Sequence, residues 1–418
     1  MDPVVKVCAE HMAAQIGKVT PGKVAVLAAR GRGETARAIA LCSRIAKRDG
    51  VPPDLVTIYD GTMGKLDMAW AASAASVGNV LCVHEFPRTS MVPLLLSHYD
   101  TVYDAMPVAV GIHTRGDGLD VGMLSCYAEL YYGYPEMNRK LHAHGKSWWE
   151  IMSDTTGLTI EPKHLKFAVP HECAPIPAES ELPPPFAGRD ARMKGESDDP
   201  KQAMLPPGGT YVTFNTSAGP RCRVKLAPPD VWIAIFDHLA NLGIQVVQVG
   251  SASDWPQNNE AYKGVAEKII NRTGLRLPLT VRLMEQSIAY IGNEGFLHYL
   301  AAGLGLPAVA LFGPTPQGVY AFPGNLNLQR RLGNGRLACL ADPPSCLWDG
   351  AQPHGRDWAA VCKLQNAVIR DGETDRPANP QAPYCANMED AQKAAGSVGE
   401  FIMALRGTFK GAQVVGAA

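Results

Sequence analysis

The stretch from Ile288 to Pro316 constrains the fold more than any other part of the chain. It reads as an apolar strand (288–291), a glycine-bounded polar turn (292–295), an apolar helix (296–304) and a second buried strand (308–312). Two strands joined through a turn and a helix in this way form a right-handed parallel crossover. Such a unit belongs to a doubly wound α/β sheet, in which ligands bind beyond the carboxyl ends of the strands.

The polar turn is the place where this unit would bind a ligand. The helix that it opens presents N–H groups without intrahelical partners and the positive end of its dipole, and both favour an anion. Glu294 and His298 are one helical turn apart and therefore share a face. Their spacing fits a ligand site and fits equally a helix cap beside a buried histidine.

The residue pattern of the whole stretch resembles the donor-domain signature of glycosyltransferase family 9, the heptosyltransferase-like enzymes. The matching residues are Asn293, Glu294, Gly295, His298, Ala301, Ala302, Gly305, Pro307, Phe312, Gly313, Pro314 and Thr315. The resemblance implies a GT-B fold of the α/β class, with two Rossmann-like doubly wound domains facing across a cleft. Many family members carry Asp where this chain has Asn293, so any negative charge at the turn would sit on Glu294.

The length of 418 residues is too great for one core and fits two domains. The proline-rich polar segment 173–208 cannot form a regular element and predicts a linker. We therefore expect domains over 1–172 and 209–387 and a final helix over 388–407. The family resemblance implies that the first domain is on the acceptor side and that the second binds the nucleotide sugar. Within the second domain, the pattern at 259–272 predicts a further helix.

The composition is that of an ordinary globular protein, with 46% hydrophobic residues, 19% charged residues and a net charge of -1. This balance gives no bulk electrostatic reason to expect nucleic-acid binding. Charged residues interrupt the N-terminal segment, and no apolar run reaches the ~18 residues that span a bilayer. We expect a cytoplasmic protein without a membrane span, whose ten cysteines are reduced or metal-bound.

The first predicted strand leads into a glycine-containing turn that supports two interpretations. Gly31, Gly33 and Ala36 have the spacing of a dinucleotide fingerprint, and Asp60 follows the next strand, as in an NAD-dependent dehydrogenase. The family resemblance instead matches Gly33 and Glu34 to a glycine-acid turn whose carboxylate serves as the catalytic base. It makes Glu34 the candidate base, although the family more often has Asp there.

Further donor-site residues are carried over from the family resemblance. In relatives, a small polar loop and a lysine approach the donor diphosphate, and the matching positions are Thr216, Ser217 and Lys225. Positive charge is physically sensible there because the leaving group departs as a diphosphate. By position alone, Met284 would border the nucleotide base and Thr315 would lie over the donor site.

The segment 333–387 carries four cysteines, which are Cys339, Cys346, Cys362 and Cys385. No pair has the two-residue separation of a zinc knuckle, so their spacing fits either a metal site or buried free thiols. A resemblance to autotransporter heptosyltransferases implies that the four thiolates hold a structural iron or zinc ion. No catalytic metal is expected.

The resemblance implies an inverting glycosyltransferase that moves a heptose-type, ADP-activated sugar to a hydroxyl on a saccharide or a protein. Glu34 would deprotonate the acceptor, while Lys225 and the helix opening at Gly295 would stabilise the departing diphosphate. Three alternatives stay open: a glycosyltransferase with DNA or another non-lipid acceptor, an NAD-dependent dehydrogenase using Gly31 and Gly33, and a sugar-binding or assembly protein without catalysis. A homo-oligomer is compatible with each.

Overall fold

A computed structural model divides the chain into two compact units, Met1–Lys194 and Gly195–Ala418. It describes residues 13–19, 24–28, 32–59, 76–84, 95–105, 111–114, 146–166, 210–216, 226–252, 254, 262–275, 277–313, 317–329, 368–371, 374–377 and 391–408. The boundary between the units falls inside the segment 173–208, which lies outside the described residues. The linker and the domain bounds drawn from the sequence therefore stay predictions.

The first unit is built on a five-stranded sheet with the order β3-β2-β1-β4-β5. Its strands are parallel except that β4 and β5 run antiparallel. The described elements are β1 (Val24–Ala28), α1 (Arg32–Asp49), β2 (Asp54–Tyr59), β3 (Val80–His84), β4 (Thr101–Asp104), β5 (Gly111–Thr114), α2 (Trp148–Thr156) and a 3₁₀ turn (Pro162–His164). The order of β1 to β4 is that of half a Rossmann fold.

The core of the first unit lies on both faces of β1. Four consecutive residues of this strand, 25–28, are fully buried, which explains why it reads as a continuous apolar run. Asp54 is buried at the start of β2, where its carboxylate accepts hydrogen bonds from the Asn79 backbone N–H (2.9 Å) and from the Tyr99 hydroxyl (3.0 Å). The carboxylate thereby joins β2 to the segments that precede β3 and β4.

The second unit contains a six-stranded, wholly parallel sheet with the order β11-β10-β9-β6-β7-β8. In chain order this is the doubly wound Rossmann arrangement. Its described elements are β6 (Tyr211–Asn215), α3 (Pro229–Asn241), β7 (Gln245–Gln248), β8 (Ile269–Asn271), α4 (Leu277–Glu285), β9 (Tyr290–Asn293), α5 (Phe296–Gly303), β10 (Ala308–Phe312), α6 (Gln317–Tyr320), β11 (Leu326–Gln329), β12 (Val368–Asp371), β13 (Thr374–Pro377) and α7 (Ala391–Thr408). Strands β12 and β13 form a separate antiparallel hairpin.

The main core of the second unit packs α3 and α7 against the sheet. The stripe Trp232, Ile235, Phe236 and Leu239 of α3 is buried, as the 3.6-residue periodicity predicts. Helix α7 adds Ala395, Val398 and Ile402 to the same core. A Cβ atom on Gly399 of α7 would overlap the His238 imidazole of α3, so the two helices meet at a glycine.

The observed crossover differs from the predicted one at its turn. Strand β9 continues to Asn293, because Asn293 lies in register with Leu311 of β10 and the Glu294 N–H donates to the Leu311 carbonyl (3.1 Å). The turn is therefore reduced to Glu294 and Gly295. The predicted helix over 259–272 is wrong in its described part, where a 3₁₀ turn (Ala266–Lys268) leads directly into β8.

Candidate functional site

The site is defined by the strand order of the second sheet. Strand β6 lies between β7 and β9, and the chain winds away from it in opposite directions on its two sides. The carboxyl ends of β6 and β9 therefore mark the topological switch point, where doubly wound sheets bind their ligands. Asn215 and Thr216 stand at the end of β6, and Asn293, Glu294 and Gly295 stand at the end of β9.

The Asn293 side chain connects the two strand ends. Its carboxamide nitrogen donates to the Thr216 carbonyl (2.6 Å), and its carboxamide oxygen accepts from the Ala227 backbone N–H (3.3 Å). Thr216, Ala227 and Asn293 are all at least nine-tenths buried, so water does not compete for these bonds. Thr216 and Ala227 flank the segment 217–226, which contains the predicted donor-site residues Ser217 and Lys225.

A second hydrogen-bond cluster joins the ends of β6 and β7. The Asn215 amide donates to the Val249 carbonyl (2.6 Å) and to the Asp254 carboxylate (3.2 Å), which also accepts from the Ser251 N–H (2.8 Å). Gly250 has a φ of +136°, and a Cβ atom at this position would overlap Asn215 and Asp254. Only glycine fits here, because both the backbone conformation and the close approach exclude a side chain.

His298 lies in the first turn of α5 and is fully buried. The Asn325 carboxamide oxygen accepts from the Ala308 N–H (3.1 Å), so its nitrogen is the group that faces His298 Nε2 at 3.0 Å. That nitrogen can only donate, and the His298 ring must accept at Nε2 and carry its proton on Nδ1.

The surroundings of His298 keep the ring neutral. Burial lowers the pKa of His298 to about 4, against a smaller opposing effect of the Glu294 carboxylate. Phe322 packs edge-on against the imidazole, with 4.9 Å between the ring centroids. The His298 side chain thus joins the first turn of α5 to the segment that precedes β11, and a direct contact to a donor stays a prediction.

The remaining predicted donor residues occupy different places in the fold. Glu294 is buried, and Gly295 precedes α5 in an extended conformation with a φ of 170°, which any residue can adopt. Met284 is fully buried in the last turn of α4. The adjacent Leu283 carbonyl accepts from the Tyr211 hydroxyl (2.8 Å) at the amino end of β6, so the structure does not bring Met284 to the switch point.

Several predicted residues fall outside what the structure describes. Glu34 lies in the first turn of α1, directly after β1 at the switch point of the first sheet, but its side chain is not described. The others are Ser217, Lys225, Thr315, Cys339, Cys346, Cys362 and Cys385. Their roles stay predictions.

The described residues contain no group of three or more His, Cys, Asp or Glu side chains that could hold a metal ion. The four cysteines of 333–387 lie outside the described residues, so the structural iron or zinc ion that the family resemblance implies stays a prediction. The metal content of protein purified without chelator tests it. Within the same described ranges, no helix has the length and apolarity needed to cross a membrane.

Comparison with known proteins gives one family match, to a part of the chain that contains the second sheet. Residues 169–341, which include all of β6 to β11, match the family model of glycosyltransferase family 9 (heptosyltransferase). This part of the chain is similar to the family 9 glycosyltransferases. This match favours a transferase over the dehydrogenase that Gly31 and Gly33 left open. A search of curated proteins gives no match to the chain.

Solved glycosyltransferase structures resemble between 75% and 94% of this chain. The family 9 glycosyltransferase from Veillonella parvula is 12% identical, with a TM-score of 0.51 over 93% of this chain and 99% of that chain. The E. coli ADP-heptose LPS heptosyltransferase II is 17% identical, with a TM-score of 0.46 over 75% and 92%. The iron-containing dodecameric glycosyltransferase TibC from enterotoxigenic E. coli is 14% identical, with a TM-score of 0.46 over 94% and 78%. The predicted fold class, α/β with two Rossmann-like sheets of the GT-B type, is confirmed.

Proposed function

We propose that the protein transfers a heptose-type sugar, with inversion, from an ADP-linked donor to a hydroxyl group of a saccharide or a protein. The observation that carries the proposal is the switch point of the family 9 domain, where Thr216, Asn293, Glu294 and the start of α5 meet. A strand-end site beside a helix N-terminus suits the diphosphate of an activated sugar.

The electrostatics of the turn support an anionic ligand. Asn293 is uncharged, so Glu294 is the single carboxylate of the turn 292–295 that opposes a bound phosphate. The N-terminus of α5 carries the positive end of the helix dipole, which favours a phosphate group. In the proposed complex, Ser217 and Lys225 follow β6 and contact the diphosphate, and Thr315 follows β10.

The reaction is a single displacement at the anomeric carbon. The Glu34 carboxylate takes the proton of the acceptor hydroxyl, and the oxygen attacks the anomeric carbon from the face opposite the diphosphate. The bond between the anomeric carbon and the phosphate oxygen breaks, and ADP leaves with the electron pair. Lys225 and the N-terminus of α5 stabilise the charge that develops on it, without a catalytic metal.

Replacement of Glu34 tests the base assignment. The variant Glu34→Gln keeps the size of the side chain and removes the proton acceptor, so we expect kcat to fall by roughly 10²- to 10⁴-fold while the Kd for ADP is unchanged. Asp49→Asn, at the exposed other end of the same helix, is the matched control and should retain full activity. Full activity of Glu34→Gln would refute this role.

A panel of nucleotide sugars tests the donor class. A donor present at a hundred times its Kd stabilises the folded protein by about 2.7 kcal/mol, which is visible as a rise in Tm. We expect ADP-linked heptose to give the largest rise and Lys225→Ala to abolish it. A larger rise with another nucleotide would contradict the ADP assignment, and the absence of any rise would contradict the proposed function.

A further inference from the structure

Tyr290 lies across Gly292 on one face of β9. The two residues are two positions apart in a strand, so they belong to the same side of the sheet. A Cβ atom on Gly292 would overlap both the hydroxyl oxygen and the ring carbons of Tyr290. The Tyr290 side chain, only 2% exposed, therefore runs along its own strand and carries its hydroxyl to the level of Gly292.

This level is the carboxyl end of the central strands. Gly292 is in register with Asn215, the last residue of β6. Paired positions of neighbouring strands share a face, so the Asn215 side chain and the Tyr290 hydroxyl are neighbours at the switch point. The preceding pair, Phe214 and Ile291, belongs to the core under α3 and α7, and Asn215 and Tyr290 therefore occupy the opposite face.

The Asp254 carboxylate completes this group. It is 7% exposed and accepts from the Asn215 amide (3.2 Å) and the Ser251 N–H (2.8 Å). Within the described residues both bonds end on Oδ2, which leaves Oδ1 as an acceptor for a ligand. Burial raises the pKa of Tyr290, and the Asp254 charge raises it further, so the phenol stays protonated beside the carboxylate.

The chemistry of this pair selects the part of a nucleotide that fits. A carboxylate only accepts hydrogen bonds and repels phosphate, whereas a phenol both donates and accepts. A sugar hydroxyl can donate to the carboxylate and accept from the phenol, while a diphosphate has no proton to donate. In ADP, only the ribose carries such hydroxyl groups.

We propose that Tyr290 is a specificity-determining residue for the donor and that its hydroxyl binds a ribose hydroxyl of the nucleotide. This inference rests on the proposed function. It assigns the ribose to the strand ends that carry Asp254 and Tyr290. The diphosphate is then left to the N-terminus of α5, which begins shortly after Gly292 along the same chain.

The substitution Tyr290→Phe tests the contact because it removes the hydroxyl and keeps the ring that packs over Gly292. Isothermal titration of the full chain with ADP, 2′-deoxy-ADP and 3′-deoxy-ADP gives a Kd for each nucleotide. We expect the variant to bind ADP about three- to tenfold more weakly than the wild type, as for the loss of one hydrogen bond between neutral groups. The deoxy analogue that lacks the contacted hydroxyl should bind equally to both proteins.

This pattern separates a contact from a structural effect. A disturbed strand end would weaken the binding of all three nucleotides by the same factor. A hydrogen bond to one ribose hydroxyl instead drops out of the comparison when that hydroxyl is absent, because the two changes then remove the same interaction. The Tm of each protein, measured in the same buffer, reports that the variant is folded.

Tyr211 provides the matched control. It lies on the same face of the neighbouring strand β6, at the opposite end, and its buried hydroxyl donates to the Leu283 carbonyl (2.8 Å). Tyr211→Phe should lower the Tm, because this carbonyl loses its donor, and should bind all three nucleotides like the wild type.

Two results would overturn the inference and leave the proposed function intact. One is an ADP affinity of Tyr290→Phe equal to wild type, as expected if the hydroxyl meets the transferred sugar or no ligand at all. The other is an equal loss of affinity for all three nucleotides. Failure of the wild-type protein to bind ADP would instead overturn the proposed function.

Discussion

Gly250 offers a sharp test of how the candidate site is built. Replacing it with alanine adds one methyl group at a residue whose φ is +136°, a conformation that L side chains rarely adopt. The methyl group would overlap the amide of Asn215 and the carboxylate of Asp254. Both side chains must then move, which disturbs the hydrogen bonds from Asn215 to the Val249 carbonyl and to the Asp254 carboxylate.

The expected cost of Gly250→Ala follows from these contacts. Backbone strain at such a φ costs about 1 to 3 kcal/mol. Each buried hydrogen bond that loses one partner costs about 1 to 3 kcal/mol more, and the overlap disturbs at least the bonds from Asn215 to Val249 and from Ser251 to Asp254. We therefore expect the free energy of unfolding of this unit to fall by about 4 kcal/mol or more.

Gly305→Ala separates strain from overlap. Gly305 follows α5 with a φ of +70°, and no atom lies within 4 Å of an added Cβ, so this substitution costs only about 1 to 2 kcal/mol of backbone strain. Hydrogen–deuterium exchange of peptides from β6 and β7 reports the opening free energy of this sheet in the full chain. Equal losses in the two variants would refute the reasoning, because the contacts of Asn215 and Asp254 would then contribute nothing.

Two further predictions concern stability. The pKa of His298 is about 4 in the folded protein and about 6.5 in the unfolded chain, so the stability that its neutral form contributes is complete above pH 6.5, and about 3 kcal/mol of it is lost as the pH falls to 4. Urea denaturation over this range should show that the free energy of unfolding of His298→Gln depends less on pH than that of the wild type. A parallel pH dependence of the two proteins would contradict the assignment. Gly399→Ala should lower the Tm by displacing the His238 ring, at about 1 to 2 kcal/mol, whereas Gly396→Ala on the same helix has open space and should gain about 0.5 to 1 kcal/mol. If both substitutions shifted the Tm in the same direction, the packing of α7 on α3 at Gly399 would be contradicted.

The sequence predicts elements well where the signal is local. The helix and second strand of the 288–316 stretch are found within one residue of their predicted bounds, because apolar runs and glycines mark them directly. Strand β8 was instead predicted as part of a helix. It exists because Ile269 and Ile270 pair with β7, and a pairing between distant segments leaves no trace in local periodicity.

The same contrast between local and distant signals holds for the residues of the candidate site. Asn293, Glu294, Gly295 and His298 share one motif, so the sequence alone predicts that they lie close together, and the structure places them at the end of β9 and the start of α5; their contact with a donor stays a prediction. Asn215, Gly250 and Asp254 were missed, although the small polar residues after β7 were a visible signal, because only the strand order brings them together. Met284 was assigned by position, yet a crossover helix runs opposite to its strands and its last turn lies at the amino edge of the sheet.

The packing of α7 has a consequence for biosynthesis. Val398 and Ile402 complete a core whose other walls, β6 and α3, are translated far earlier. Until α7 has left the ribosome, the side of this core that Val398 and Ile402 close stays open, and a nascent chain halted before Ala391 would expose apolar residues there to chaperones and proteases.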